Sequence, residues 1–224
     1  MPVITLSRQF GAGGAAVGRA LAERFGAEYL DREVVALVAE RMGIPEEEAE
    51  GYDERMPTLW QRVMAALAAS APEQAVPPVP QDAANSPHIH ERMARLTRAV
   101  VEEAADRGNA VILGRGAAFI LRDRPDVLRV HLHASLEDRL GYVRTQVEEL
   151  PGDAGTDDDS VRALCRSVDA ARARYLRDHF GVDVNDLRAY DLSIDTGRLG
   201  VARAVEIIDI AARQLAAAPG SHAG

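Results

Sequence analysis

Residues 3–25 read VITLSRQFGAGGAAVGRALAERF, and this stretch decides the fold. An apolar strand pattern at Val3–Leu6 runs into a turn that contains Gly11, Gly13 and Gly14, and a helical pattern follows. Glycine permits positive φ and a close approach of the backbone, and the first turn of a helix offers unpaired N–H groups at the positive end of its dipole. The stretch therefore predicts a strand, a loop that can wrap a phosphate, and a helix.

The loop lacks two side chains that usually accompany such a turn. When the helix is aligned with the pattern G-x-x-x-x-G-K-[ST], Gly14 stands at the lysine and Ala15 at the hydroxyl residue that holds Mg²⁺. All 26 basic residues are arginine, so no lysine is available from elsewhere in the chain. The backbone part of the phosphate site remains, and Arg8 is the nearest positive charge.

The rest of the chain alternates short apolar runs with helical patterns. Further strands are predicted at Glu28–Leu30, Ala110–Leu113, Leu128–Leu132 and Leu192–Ile194. Helices are predicted at 14–25, 32–42, 57–69, 88–107, 135–149, 160–180 and 199–217. Ser135 with Asp138 predicts a capping box, and Gly108 a helix end. This rhythm is typical of a single α/β domain, here residues 1–224, with a parallel sheet.

Two polar stretches lie between helical segments. Residues 71–87 contain five prolines, and residues 151–160 contain two glycines and four aspartates. Substrate flaps or lids lie at such places in α/β domains, and ordinary surface loops do so equally. The small and polar residues 216–224 predict a frayed tail.

Composition excludes several classes of function. The net charge of -9 argues against nucleic-acid binding, and no apolar run is long enough to span a membrane. The single cysteine, Cys165, excludes an intramolecular disulfide and a cysteine-cluster metal site, and we expect it to be a small apolar residue on a helix. No metal-ligating residues are predicted. The N-terminus has no signal-peptide pattern, so we expect a cytoplasmic protein.

Two charged residues follow predicted strands. Asp31 ends the second strand, where a carboxylate can orient an acceptor or hold Mg²⁺ through water; a helix N-cap is the competing interpretation. Arg115 stands between Gly114 and Gly116 after the third strand, where a guanidinium can bind phosphate with two hydrogen bonds. Its alternative is an exposed side chain in a turn.

A group of arginines follows in the second half of the chain. Arg139 and Arg144 lie on the helix after Ser135, and Asp169, Arg172 and Tyr175 recur at every third residue on one helix face. Such arginines, with Arg174, can close over a transferring phosphoryl group and balance its charge. A surface helix with ion pairs is the alternative.

In this order, the motifs resemble the cytidylate kinase-like family. The family opening I-[ST]-x-S-R-[EQ]-[FY]-G-[SA]-G-G is similar to residues Ile4–Gly14, and the family element Y-x-D-R-E is similar to Tyr29–Glu33. The Ile112–Arg139 stretch, the later D-x-x-R-x-x-Y and Tyr190–Thr196 are also similar. Many relatives have Arg-Glu after the double glycine, where this chain has Ala15-Ala16. The similarity leaves residues 45–95 without a clear motif.

The resemblance implies an ATP-dependent kinase that phosphorylates a nucleoside monophosphate, CMP or dCMP, with Mg²⁺ held through phosphates and water. It implies a P-loop NTPase-type five-stranded parallel sheet of order 2-3-1-4-5, flanked by helices. An acceptor-binding helical insertion is expected at about 45–107 and a lid at about 145–180. The implied catalytic residues are Asp31, Arg115, Arg172 and Arg174. The implied ATP-binding residues are Arg8, Gly11, Ala12, Gly13, Gly14, Ala15, Ala16, Arg139, Arg144 and Thr196, with adenine near the Asp195-Thr196 turn.

Two other functions stay open at this point. The absent lysine and hydroxyl fit a catalytically silent module that binds nucleotide and reports its level to a partner. Because residues 45–95 contain no clear motif, a kinase of a non-nucleotide metabolite also stays open.

Overall fold

The sheet has the predicted parallel arrangement. The computed structural model describes residues 2–31, 87–114, 116–145 and 157–217. They form a five-stranded sheet of order β2-β3-β1-β4-β5 in which all four pairings are parallel. The strands are β1 (Val3–Arg8), β2 (Glu28–Leu30), β3 (Ala110–Leu113), β4 (Val127–His133) and β5 (Leu192–Asp195). The strand order implied by the resemblance is confirmed.

Helices lie on both faces of this sheet. They are α1 (Gly14–Phe25), α2 (Pro87–Arg107), α3 (Ala117–Ile120), α4 (Leu136–Thr145), α5 (Asp158–Phe180) and α6 (Thr196–Ala217). The predicted helices at 32–42 and 57–69 lie outside the described residues. Helix α3 was not predicted, because four residues are too few to show a helical period. Within the described ranges, no helix is long and apolar enough to cross a membrane.

The central strands β1, β3 and β4 are mostly apolar because each face of the sheet has its own core. Val3 and Ile112 belong to the cluster under α2 and α3. Ile4 and Leu6 belong to the opposite cluster, which includes Ile208 of α6. Successive side chains of a strand point to opposite faces, so a continuous apolar run is what a sheet covered on both faces requires.

Several helix ends follow the predicted signals. Helix α2 ends at Arg107, and Gly108 follows it with a φ of +71°. At the start of α4, the Ser135 hydroxyl oxygen accepts the N–H of Asp138 at 3.1 Å and lies 2.6 Å from its carboxylate. Helix α6 begins at Thr196, earlier than predicted. Its first turn is separate from the rest of the helix because Gly200 has non-helical φ and ψ of 77° and 162°.

Helix α5 occupies most of the segment predicted as a lid, and one of its faces is packed into the domain. Cys165 is fully buried with Leu140 and Val143 of α4. Farther along, Leu176 packs against Phe119 of α3 and Tyr190. Burial raises the pKa of the Cys165 thiol, so this residue acts as a small apolar side chain, as expected.

Candidate functional site

The phosphate loop, residues 9–13, connects the end of β1 to the start of α1. Gly11 and Gly13 have φ of +77° and +71°, which glycine adopts without steric cost. No side chain caps α1, and its first helical hydrogen bond runs from the Val17 N–H to the Gly13 carbonyl at 3.0 Å. The N–H groups of residues 14–16 therefore have no carbonyl partner inside the helix. These N–H groups at the start of α1 form a set of donors suited to an anion.

The loop is tied to the ends of two other strands. The Gln9 side-chain oxygen accepts the N–H of Ala134, just after β4, at 3.2 Å. The Thr196 hydroxyl, just after β5, lies 2.9 Å from the Ala12 carbonyl oxygen and 3.1 Å from that of His133. The turn that was predicted to hold adenine is thus in direct contact with the phosphate loop.

The Arg8 side chain spans the carboxyl edge of the sheet. A Cβ on Gly14 would lie 2.9 Å from its Cγ, and a Cβ on Gly114 would collide with its Nη1. Its Nη2 lies 3.9 Å from a carboxylate oxygen of Asp31. Arg8 therefore runs from the start of α1 to the ends of β3 and β2, and it joins the predicted ATP side to the predicted acceptor side. Arg115 follows Gly114 and lies outside the described residues.

Three charged side chains from α4 and α5 hold the loop, and we call them the loop clamp: Arg139, Asp169 and Arg172. Asp169 Oδ1 accepts the N–H of Phe10 at 2.8 Å. Arg139 Nη1 lies 2.5 Å from Asp169 Oδ2 and donates to the Phe10 carbonyl at 3.2 Å. Arg172 Nη1 donates to the Arg8 carbonyl at 2.5 Å and lies 3.7 Å from Asp169. Of the predicted arginines, Arg139 thus contacts the loop backbone directly, and Arg172 contacts the last residue of β1, just before the loop.

The other two predicted arginines of this group are not brought to the loop. Arg144 forms an exposed ion pair with Asp158 at the start of α5. Arg174 is exposed and stands two positions from Arg172, so it lies on a different face of α5. Arg144 thus has the exposed ion pair of the surface-helix alternative, and Arg174 lies at an exposed position of α5.

A buried polar group lies beside the clamp, on β4. His131 is 5% exposed, and its ring centroid lies 4.9 Å from that of Tyr190. Burial, followed by the positive fields of His133 and Arg172, lowers the pKa of His131 to about 4. Its Nδ1 has no hydrogen-bond partner among the described residues. His131 was not predicted as a site residue, because it lies within a strand pattern that indicates buried core.

Asp169 was not predicted as a site residue, although one signal pointed to it. Its spacing from Arg172 places both residues on one helix face, and that face meets the loop. What the sequence did not reveal is that the carboxylate accepts a loop N–H.

The side chains around the loop leave a local excess of positive charge. Among the described residues that contact one another here, three guanidinium groups (Arg8, Arg139 and Arg172) face two carboxylates (Asp31 and Asp169), which gives a difference of one positive charge. The chain as a whole carries -9. A local positive excess beside a set of backbone donors is suited to an anionic ligand.

A known protein family matches most of this chain. The model of the cytidylate kinase-like family matches residues 3–198. The chain belongs to this family. The matched region contains Arg8, Asp31, the loop clamp and Thr196. Residues 199–217 of α6 lie beyond the match and pack against the sheet.

Individual relatives are more distant. A cytidylate kinase of Pyrobaculum aerophilum is 36% identical over 105 residues, which are 47% of this chain and 53% of that protein. The chain therefore spans about half the length of this curated relative. A solved structure of an uncharacterized protein from Eubacterium ventriosum has a TM-score of 0.64 at 18% identity and covers 95% of this chain and 99% of that one. Shikimate kinase from Bacteroides thetaiotaomicron has a TM-score of 0.52 at 16% identity, with 95% and 98% covered. These two likenesses concern the fold alone.

Proposed function

We propose that this chain is an ATP-dependent phosphotransferase that moves the γ-phosphoryl group of ATP to a nucleoside monophosphate, with CMP or dCMP as the preferred acceptor. The observation that carries the proposal is the Arg8 side chain, which lies beside the backbone amides at the start of α1. The chain also belongs to the cytidylate kinase-like family. The relative from Pyrobaculum aerophilum is named a cytidylate kinase, which supports the choice of acceptor.

The reaction needs positioning and charge balance rather than covalent chemistry by the protein. An acceptor phosphate oxygen attacks the γ-phosphorus, the bond from that phosphorus to the β–γ bridging oxygen breaks, and ADP leaves with the electron pair. The backbone N–H groups of residues 14–16, at the start of α1, hold the phosphates of ATP. Arg8 reaches from these amides toward Asp31, so its guanidinium lies where donor and acceptor phosphates approach.

Mg²⁺ fits this site mainly through the phosphates. The loop offers no side-chain oxygen at the usual position, because Ala15 stands there, while the Asp31 carboxylate is 26% exposed and open to metal-bound water. When bound, the ion neutralises charge on the β- and γ-phosphate oxygens. The remaining charge balance falls to Arg8, whose planar fork can donate two hydrogen bonds to one phosphate.

The test is a phosphorylation assay over a broad panel of nucleoside monophosphates with ATP and either Mg²⁺ or Mn²⁺. We expect the highest kcat/KM with CMP or dCMP. Arg8→Ala should lower kcat/KM by about 100-fold or more, because one donor to the developing charge is lost. The kcat/KM of Arg8→Lys should lie between those of Arg8→Ala and the wild type. Arg188→Ala is the matched control, since Arg188 is 90% exposed in an ion pair with Asp186, before the start of β5. The proposal is wrong if no nucleotide on the panel is phosphorylated.

A catalytically silent nucleotide-binding module is the second candidate. It is favoured by Gly14 and Ala15, which stand where a lysine and a hydroxyl residue contact phosphate and metal. A calorimetric titration separates the two candidates, because ATP binding without turnover would support the silent module. Absence of binding to any nucleotide would contradict both.

A further inference from the structure

We propose that Asp169 is a positioning residue that keeps the phosphate loop in its binding conformation before a nucleotide arrives. The proposal rests on the proposed role of the loop in nucleotide binding. In this role Asp169 does not touch the ligand. It accepts the Phe10 N–H and holds Arg139 and Arg172. These two arginines donate to the carbonyl groups of Phe10 and Arg8, respectively.

Asp169 and Arg139 both contact the backbone of Phe10. Asp169 uses one carboxylate oxygen for the Phe10 N–H and the other for Arg139, which in turn donates to the Phe10 carbonyl. Both backbone polar groups of Phe10 are therefore held by the same pair of side chains. The carbonyl of Arg8, two residues earlier, is held by Arg172. These contacts fix the residues just before Gly11, where the backbone turns into the loop.

The arginine that Asp169 holds is buried. Arg139 is only 8% exposed. A Cβ on Gly11 would lie 3.1 Å from the Arg139 carbonyl oxygen and 3.0 Å from the Val143 side chain, so α4 packs directly on the loop. A buried guanidinium requires a counter-charge, and Asp169 is the carboxylate that the structure places on it. Removal of that charge would weaken the hydrogen bond from Arg139 to the Phe10 carbonyl.

This chain lacks the lysine that usually contacts phosphate from such a loop. A loop with glycines at positions 11, 13 and 14 has large backbone freedom, and ordering it during binding would lower affinity. A loop lysine would offset that cost with a direct contact to phosphate. In this chain, no lysine exists to do so. The clamp removes the cost instead, because the loop is already ordered by contacts from α4 and α5.

The experiment compares Asp169→Asn and Asp169→Ala with the wild type by two measurements. The first is hydrogen exchange of the Phe10 amide in the nucleotide-free protein. We expect exchange about 10-fold faster or more in Asp169→Ala, and a smaller increase in Asp169→Asn, whose amide oxygen can still accept the N–H. The second is calorimetric titration with ATP, where both variants should bind about 10-fold more weakly or worse, since both lose the charge that holds Arg139. Asp178→Asn, on an exposed position of α5, is the matched control and should change neither.

Kinetics separates this role from others. We expect the KM for ATP to rise in Asp169→Asn while the KM for the acceptor stays within about twofold. A rise confined to the acceptor KM would overturn the proposal, and so would unchanged exchange at Phe10 in both variants. If Asp169→Ala does not fold, the nearly isosteric Asp169→Asn carries the test. If the wild type binds no nucleotide, the proposed function fails, while the exchange measurement still decides whether Asp169 orders the loop.

Discussion

The hydroxyl oxygen of Thr196 lies 2.9 Å from the backbone carbonyl oxygen of Ala12, and this contact joins the end of β5 to the phosphate loop. The same hydroxyl is 3.1 Å from the His133 carbonyl at the end of β4, so one hydrogen is shared between two acceptors. Thr196 is 8% exposed. A single buried side chain therefore braces the loop against two neighbouring strands.

We expect Thr196→Val, which keeps the shape and removes the hydroxyl, to lower the free energy of unfolding by about 1–2 kcal/mol, because two buried carbonyls lose a donor. Weaker ATP binding should accompany it. Urea unfolding and calorimetric titration measure the two effects. Thr196→Ser keeps the donor and should lie closer to the wild type; if both variants were equally destabilised, the hydroxyl would not be the cause.

Gly18 in α1 is explained by the aromatic ring that packs on it. A Cβ at this position would lie 2.6 Å from Cε2 of Tyr29 and 3.3 Å from the Leu6 side chain. We expect Gly18→Ala to lower the free energy of unfolding by about 1–3 kcal/mol through overpacking, despite the higher helix propensity of alanine. In α4, Gly141→Ala meets no atom within 4 Å and should stabilise the protein by about 0.5–1 kcal/mol. Chemical denaturation of both variants checks the contrast, and a stabilising Gly18→Ala would refute it.

Gly114 provides a test of Arg8 that leaves Arg8 itself unchanged. Its φ is +76°, and an added Cβ would collide with Arg8 Nη1. Gly114→Ala should therefore cost about 1–2 kcal/mol of stability and, by displacing Arg8, lower phosphotransfer about 10-fold or more. Gly108→Ala has the same backbone cost, at a φ of +71°, and meets no atom within 4 Å. We expect normal turnover from it, and equal turnover in both variants would count against the position assigned to Arg8.

The buried His131 makes stability depend on pH in a defined direction. Its pKa of about 4 lies below the ordinary 6.5, so the unfolded chain takes up a proton first as the pH falls. Its contribution to stability is complete above pH 6.5 and is lost progressively toward pH 4, by about 2 kcal/mol at pH 5. Urea midpoints at pH 7 and pH 5 should therefore differ less in His131→Gln than in the wild type. An identical pH dependence would show that His131 does not titrate in this way.

The centre of the sheet could be predicted from the sequence because β1 and β3 are buried on both faces. Val3–Leu6 and Ala110–Leu113 stand out as runs without alternation, which is the pattern of buried parallel strands. The pattern does not contain the strand order, which came from the family resemblance. The observed β1 is two residues longer than predicted. Ser7 and Arg8 are polar, so the apolar run ends before them, although they pair with His131 and Leu132 of β4.

The candidate site was only partly readable. The glycines of the loop were recognisable because positive φ and close backbone approach demand glycine. The partners of Arg139, Arg144 and Arg172 were not, since an arginine on a helix gives no indication of whether it faces a distant carbonyl group or a nearby carboxylate. Packing decides this: α4 and α5 turn Arg139 and Arg172 toward the loop and leave Arg144 beside Asp158.

The loop clamp joins parts of the chain that are made at different times. Phe10 and Asp169 are 159 positions apart, and Arg8 and Arg172 are 164 apart. Contacts of such long range form late, because the intervening chain must be ordered first. On the ribosome, the glycine segment would emerge early and wait for α5 before it could take its final shape. Nucleotide would then stabilise only a nearly complete chain, and truncated products would gain nothing from it.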